Sequence, residues 1–140
     1  MTALVLDGSA ALAWCFEDET TAATEALLER VRTDGAVVPR HWRLEILNGL
    51  LMGERRSRLP SGKVIVFLDL FRSLPIATDG ETDGRVFADT LHVARADKLT
   101  AYDAAYLELA LRSALPLATL DRGLARAAER NGVPLALGSA

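Results

Sequence analysis

Apolar runs of only three to five residues recur along this chain, and each is followed by a longer stretch with helical periodicity. ALVL (residues 3–6), AVVP (36–39), IAT (76–78), PLAT (116–119) and VPLAL (133–137) read as short strands. Their near-continuous apolar character, without a polar alternate face, belongs to strands covered on both sides. Between them the spacing predicts helices over residues 9–16, 20–32, 40–55, 64–74, 83–96, 102–113 and 122–130. Asp34-Gly35, Pro60-Ser61-Gly62, Pro75, Lys98-Leu99-Thr100 and Asn131-Gly132 punctuate them. Strands alternating with helices predict an α/β fold, a three-layer α/β/α sandwich around a central parallel sheet. With no linker or low-complexity tract, residues 1–140 are expected to form one domain.

Composition narrows the class. Half of the residues are hydrophobic, too many for a disordered tail, yet no apolar run approaches the roughly 18 residues of a membrane span. Met1-Thr2-Ala3-Leu4 has no basic lead-in and the apolar stretch stops at Asp7, so no signal peptide is read and a cytoplasmic protein is expected. Cys15 is the single cysteine. It excludes a disulfide within the chain and is expected to be a buried small hydrophobe.

Two strands hand over to helices through an acid: Leu6 to Asp7, and Thr119-Leu120 to Asp121. In open parallel sheets, sites lie beyond the carboxyl ends of the strands, so both acids belong to the same sheet edge. Each has a plainer reading as a helix cap or first-turn acid, contributing about 0.5–2 kcal/mol. Asp103, three residues after Thr100, fits a capping box. Glu45 lies inside a helix, beside its apolar stripe, and caps nothing. A half-buried carboxylate there needs a partner, and a structural ion pair with Arg40, Arg43 or His41 is one candidate. The alternative is convergence of all four acids on one cleft. Two carboxylates at about 4 Å repel by about 4 kcal/mol at an effective dielectric near 20, so such a cluster requires protons, cations or a hard metal. Oxygen-only ligands suit Mg²⁺ or Mn²⁺, which could activate a water for attack on phosphate. His41 and His92 are expected at the surface, and no nucleophilic triad is legible.

Four stretches, LVLDGSA, RLEILNGLL, LTAYDAAYLELA and LATLDRGLARAA, make the chain resemble the PIN domain family (PilT N-terminus type), and within it the VapC-like toxin ribonucleases. The match spans nearly the whole chain, in the family's order. The resemblance implies a catalytic metal site of Asp7, Glu45, Asp103 and Asp121. It also implies contacts from Ser9 and Thr119 to those acids or to phosphate. It further implies Mg²⁺-dependent endoribonuclease activity (Mn²⁺ as a substitute), RNA as substrate, a homodimer and a small cognate antitoxin with a basic tail. The helices predicted over residues 20–32 and 40–55 could offer that partner an apolar groove. Gly8 stands where the family often has another small residue, and Gly49 is an unexplained helical glycine costing about 1 kcal/mol relative to alanine.

Three other readings compete. A haloacid-dehalogenase-like phosphatase also carries an acid after its first strand, but needs a second two residues on, where this chain has Ser9. A receiver-like module would have Asp79 as its only phospho-acceptor, and no lysine follows a late strand. A catalytically silent PIN fold that only binds protein is the third. The net charge of −3 argues against general coating of nucleic acid, although residues 40–63 concentrate Arg40, Arg43, Arg55, Arg56, Arg58 and Lys63. These cations read either as a solvated helix end or as phosphate contacts.

Overall fold

The computed structural model describes residues 3–138. Residues 1, 2, 139 and 140 of the expected domain lie outside the described residues, as do the first two residues of the N-terminal stretch read for a signal peptide. Four strands, β1 (Leu4–Leu6), β2 (Ala36–Val38), β3 (Ile76–Thr78) and β4 (Leu117–Ala118), form one all-parallel sheet in the order β3-β2-β1-β4. Helices flank the sheet, giving the three-layer α/β/α arrangement that the alternating pattern predicts. They are α1 (Gly8–Leu12), α2 (Ala22–Asp34), α3 (Trp42–Arg55), α4 (Ser61–Ser73), α5 (Thr82–Arg85), α6 (Leu91–Asp97), α7 (Ala101–Ser113) and α8 (Arg122–Arg130).

β1 is fully buried between β2 and β4. α7 packs on β1 and β4, with every residue from Ala104 to Ala110 buried. A helix apolar nearly all round belongs to the interior, and each fully buried leucine in it contributes about 1.5–3 kcal/mol. Thr21 and Thr24 form a reciprocal capping box at the start of α2. Cys15 is buried as expected, and burial pushes its thiol up to about 12. Among the described residues no helix is long and apolar enough to cross a membrane.

Several elements differ from the sequence reading. The fifth strand reduces to a single parallel bridge between Leu117 and Leu135. Pro134 lends its carbonyl to Leu117 but has no N–H to extend the ladder, and β4 offers only two residues to pair with. The first helix is shorter than residues 9–16, because the chain leaves α1 through a tight turn into a 3-10 turn at Glu17–Glu19. The helix expected over 83–96 contains a π-helical segment, Val86–Thr90, between α5 and α6.

Gly49 acquires a reason. α1 crosses α3 so closely that a Cβ on Gly49 would stand 2.4 Å from Leu12 Cδ1, and one on Gly53 2.6 Å from Phe16. The two glycines, one turn apart, make a shallow face on α3 against which α1 and the turn after it lie flush. This contact sets the distance between the first residues of α1 and Glu45.

The exposed edge strand β3 is tied down by an ionic network. Arg112, from the end of α7, donates both terminal nitrogens to the Asp79 carboxylate, at 3.2 and 2.8 Å, and its Nε to Glu108 at 2.8 Å. The Arg112 guanidinium, with help from Thr82, holds Asp79 below the usual carboxylate range. Asp79 is therefore a structural anchor, which removes the phospho-acceptor that a receiver-like module would need.

Candidate metal centre

The strand order reverses direction at β1: the chain steps outward to β2 and β3, then returns to β4 on the other side. The crevice outside the carboxyl ends of β1 and β4 is thus the topological switch point, where ligands of such sheets bind. The Asp7 N–H continues the ladder by donating to the Ala118 carbonyl at 3.0 Å, which places Asp7 and Thr119 side by side.

Asp7 is only 4% exposed. Its Oδ2 accepts hydrogen bonds from Ser9 Oγ at 2.7 Å and from Thr119 Oγ1 at 2.5 Å. The same hydroxyls accept in turn from the backbone: Ser9 Oγ from the Leu120 N–H and Thr119 Oγ1 from the Asp121 N–H, each at 3.0 Å. Ser9 and Thr119 are therefore stitches between the two strand ends. Asp7 makes no side-chain cap to α1, so the plainer helix-cap reading fails for it. Burial raises its pKa, and the two hydroxyl hydrogen bonds oppose that rise only in part.

Asp121 does cap α8, accepting from the Gly123 N–H through Oδ1 at 2.9 Å. Thr100 caps α7, accepting from the Asp103 N–H at 3.1 Å. The Asp103 carboxyl is pushed up to about 6, first by burial and then by the charges of Asp121, Asp7 and Glu45, with a hydrogen-bonding contact to Asp121 adding to the rise. All four acids share one electrostatic field.

Glu45 enters from α3. Tyr106 donates a short hydrogen bond to its Oε1, and His41 Nε2 lies 3.3 Å from that same oxygen. Burial raises Glu45, while the Tyr106 hydroxyl and His41 act the other way. Of the three candidate partners for Glu45, His41 is the one that reaches it, and neither arginine does. Arg43 instead donates to Thr78 Oγ1 and the Ile76 carbonyl at β3, and Arg40 pairs with Asp83 at 2.9 Å on the surface.

Of the other basic residues, Arg58 bonds to Asp18 and Glu19 at 3.0 and 2.9 Å and lies over the Phe16 ring at 4.3 Å. It is committed to holding the turn after α1. Arg55 is exposed at the end of α3. Arg56, also exposed, lines a cavity of about 200 Å³ together with Ser9, Gly49, Met52 and Arg58.

Among the described residues, no three His, Cys, Asp or Glu side chains close into a ready cage for a metal ion. Burial raises Asp103 first, and the charges of Asp121, Asp7 and Glu45 add to that rise. The donor set still fits a hard cation: every candidate ligand is a carboxylate oxygen, and their mutual repulsion is what a divalent ion would relieve. Tyr106 was not singled out by the sequence reading, and His41 was named only as one of three candidate ion-pair partners for Glu45. The available signal was helical spacing, since Tyr106 follows Asp103 by three residues and His41 precedes Glu45 by four.

The sequence profile of the PIN domain matches residues 4–130. The chain belongs to the PIN domain family. The crystal structure of PAE2754 from Pyrobaculum aerophilum superposes with a TM-score of 0.70 over 96% of this chain and 84% of that one, at 24% identity, a likeness of fold. No curated protein matches the chain. The PIN domain is a nuclease fold, and PIN nucleases typically use divalent metals. In this PIN domain Ser9 holds Asp7 at the position where a haloacid-dehalogenase-like phosphatase would need its second acid, which leaves that alternative without its chemistry.

Proposed function

We propose that this PIN domain is a Mg²⁺-dependent endoribonuclease of the VapC-like toxin kind, cleaving RNA phosphodiesters at the Asp7–Glu45–Asp103–Asp121 cleft. The observation that carries this reading is the joining of Asp7 and Asp121 at the sheet's switch point through Ser9 and Thr119, with Asp103 raised to about 6 by burial and by the neighbouring acids in support. Titratable groups raised by burial together with neighbouring like charges are typical of functional sites, and Asp7, Glu45 and Asp103 are all raised. Asp7, Asp103 and Asp121 would hold the ion, directly or through water, with Glu45 beside them. A bound Mg²⁺ supplies charge stabilisation at phosphate and a more acidic water. The chain's own part is orientation. Ser9 and Thr119 bind one oxygen of Asp7, and the α8 cap binds one oxygen of Asp121, so the other oxygen of each is left for a ligand.

Purified protein should cut labelled RNA in Mg²⁺ or Mn²⁺, and EDTA should stop it. No cleavage of any RNA with either metal, from a folded chain, would favour the catalytically silent protein-binding reading.

An acidic cleft repels the phosphate backbone, so RNA needs cationic flanks. With Arg58 occupied by Asp18 and Glu19, the exposed Arg55 and Arg56 are the candidates. Arg55→Ala/Arg56→Ala should weaken RNA binding and flatten its salt dependence by about 0.7 in log–log slope per lost contact. Arg58→Ala should change the slope little and instead loosen the Glu17–Glu19 turn. An unchanged slope in the double variant would leave Arg55 and Arg56 as a solvated helix end.

The same reading includes a homodimer and a small antitoxin whose basic tail occupies the acidic cleft. Support comes from charge complementarity and from Leu44 and Leu47, exposed on α3. Light scattering of the free chain tests the dimer. Crosslinks from a co-expressed upstream partner should fall beside the four acids; crosslinks that avoid them in an inhibited complex would rule out site occupancy.

A further inference from the structure

We infer that Tyr106 is a positioning residue for Glu45, holding one carboxylate oxygen so that the other is presented to the metal cleft; this rests on the nuclease reading above. Tyr106 is completely buried, and a buried tyrosine hydroxyl requires a partner. Any backbone carbonyl or serine could serve in that role. Here the partner is an acid from another helix, 61 residues away in sequence. Both neighbours of Glu45 take the same atom: the Tyr106 hydroxyl donates to Oε1, and His41 Nε2 approaches Oε1 at 3.3 Å. Oε2 is turned instead toward the β1–α1 junction, where a Cβ on Gly8 would stand 3.7 Å from it. That junction carries Asp7.

The aromatic surroundings stiffen the arrangement. His41 meets the Tyr106 ring edge-on at 5.2 Å and the Tyr102 ring at 5.7 Å, so neither Oε1 neighbour can swing away freely. Asp103 and Tyr106 lie one turn apart on α7. One rigid helix therefore sets both an acid of the cleft and the orientation of the acid opposite. A glutamate on an exposed helix edge samples many rotamers; this one is pinned at its tip. Groups that orient metal-site carboxylates change affinity or activity by about 10–100-fold when removed.

The test uses the full chain and Tyr106→Phe, which keeps the ring and removes the hydroxyl. Mn²⁺ affinity, read by electron paramagnetic resonance without substrate, should fall about tenfold. The kcat for RNA cleavage should fall about 10–100-fold with KM within about twofold. In the Glu45→Gln background, Tyr106→Phe should cause no further loss of Mn²⁺ affinity, because its effect passes through Glu45. Placing p-aminophenylalanine at position 106 restores a donor on the same ring and should recover most of the Mn²⁺ affinity; it also covers the case in which the phenylalanine variant folds poorly. Wild-type affinity and kcat in Tyr106→Phe, or full additivity in the double variant, would overturn the inference while leaving the nuclease reading intact. A wild-type chain that neither binds Mn²⁺ nor cuts RNA would overturn both.

Discussion

Asp103→Asn should lower RNA cleavage by roughly two to three orders of magnitude, the scale set by removing one preorganised charged group from a reaction centre, while the metal-free protein becomes more stable. The two effects have one cause. Asp103 is half-buried among Asp121, Asp7 and Glu45, and burial and then their charges push it up to about 6, from an ordinary 3.8. The folded chain therefore holds a proton at Asp103 that the unfolded chain releases near pH 4. For a group raised in this way, the stability it contributes is complete below about pH 4 and is lost as pH rises through about 6. Asp7 and Glu45 are raised as well and add to the slope in the same direction.

Thermal melts in EDTA should accordingly show a melting temperature that falls between about pH 4 and pH 6. The slope should be shallower in Asp103→Asn, whose advantage near neutral pH is roughly 1 kcal/mol after solvent screening of a half-exposed carboxylate is allowed for. Saturating Mg²⁺ should flatten the wild-type slope, because a cation favours the ionised carboxylates. A melting temperature that drops in Asp103→Asn at neutral pH would mean that the acid serves α7's first turn, and the shared-field account would be wrong.

Gly49→Val should destabilise the chain by about 1–3 kcal/mol through overpacking, and should cost activity without touching any acid. Two effects compete at this position. Replacing a helical glycine with alanine is worth about 1 kcal/mol in propensity, but a Cβ would meet Leu12 Cδ1 at 2.4 Å and Cδ2 at 2.8 Å. Alanine should come near balance, since Leu12 can partly rotate. Valine adds two more methyl groups to the same contact and gains little propensity, so sterics win. Forcing α1 off α3 then moves the start of α1 away from Glu45, where the gap now leaves room for nothing larger than a Cβ contact of about 3.5 Å at Gly8. At about 2–5 °C per kcal/mol for a chain of this size, the melting temperature should fall measurably and RNA cleavage with it. A valine variant that melts with the wild type would show that α1 and α3 adjust freely, and that Gly49 has no part in shaping the cleft.

Local chemistry decided much of this protein before any tertiary contact. Short strands without a polar face, separated by helical periodicity, permit little besides a parallel sheet covered on both sides, and four of the five expected strands form one. Asp7 and Asp121 sit after β1 and β4 because that is where the apolar runs stop, and the caps at Thr100 and Asp121 follow from sequence spacing alone. The tertiary structure decided what those residues do to each other. Strand order is a long-range choice, and it is the reversal at β1 that brings Asp7, Ser9, Thr119 and Asp121 together. Arg58 is drawn into an ion pair 40 residues away rather than toward the cleft, Tyr106 reaches Glu45 from another helix, and Gly49 matters only because Leu12 lies against it. Periodicity reports which face of an element is apolar. The partner across that face is set by packing between segments distant in sequence, and no spacing within either segment encodes it.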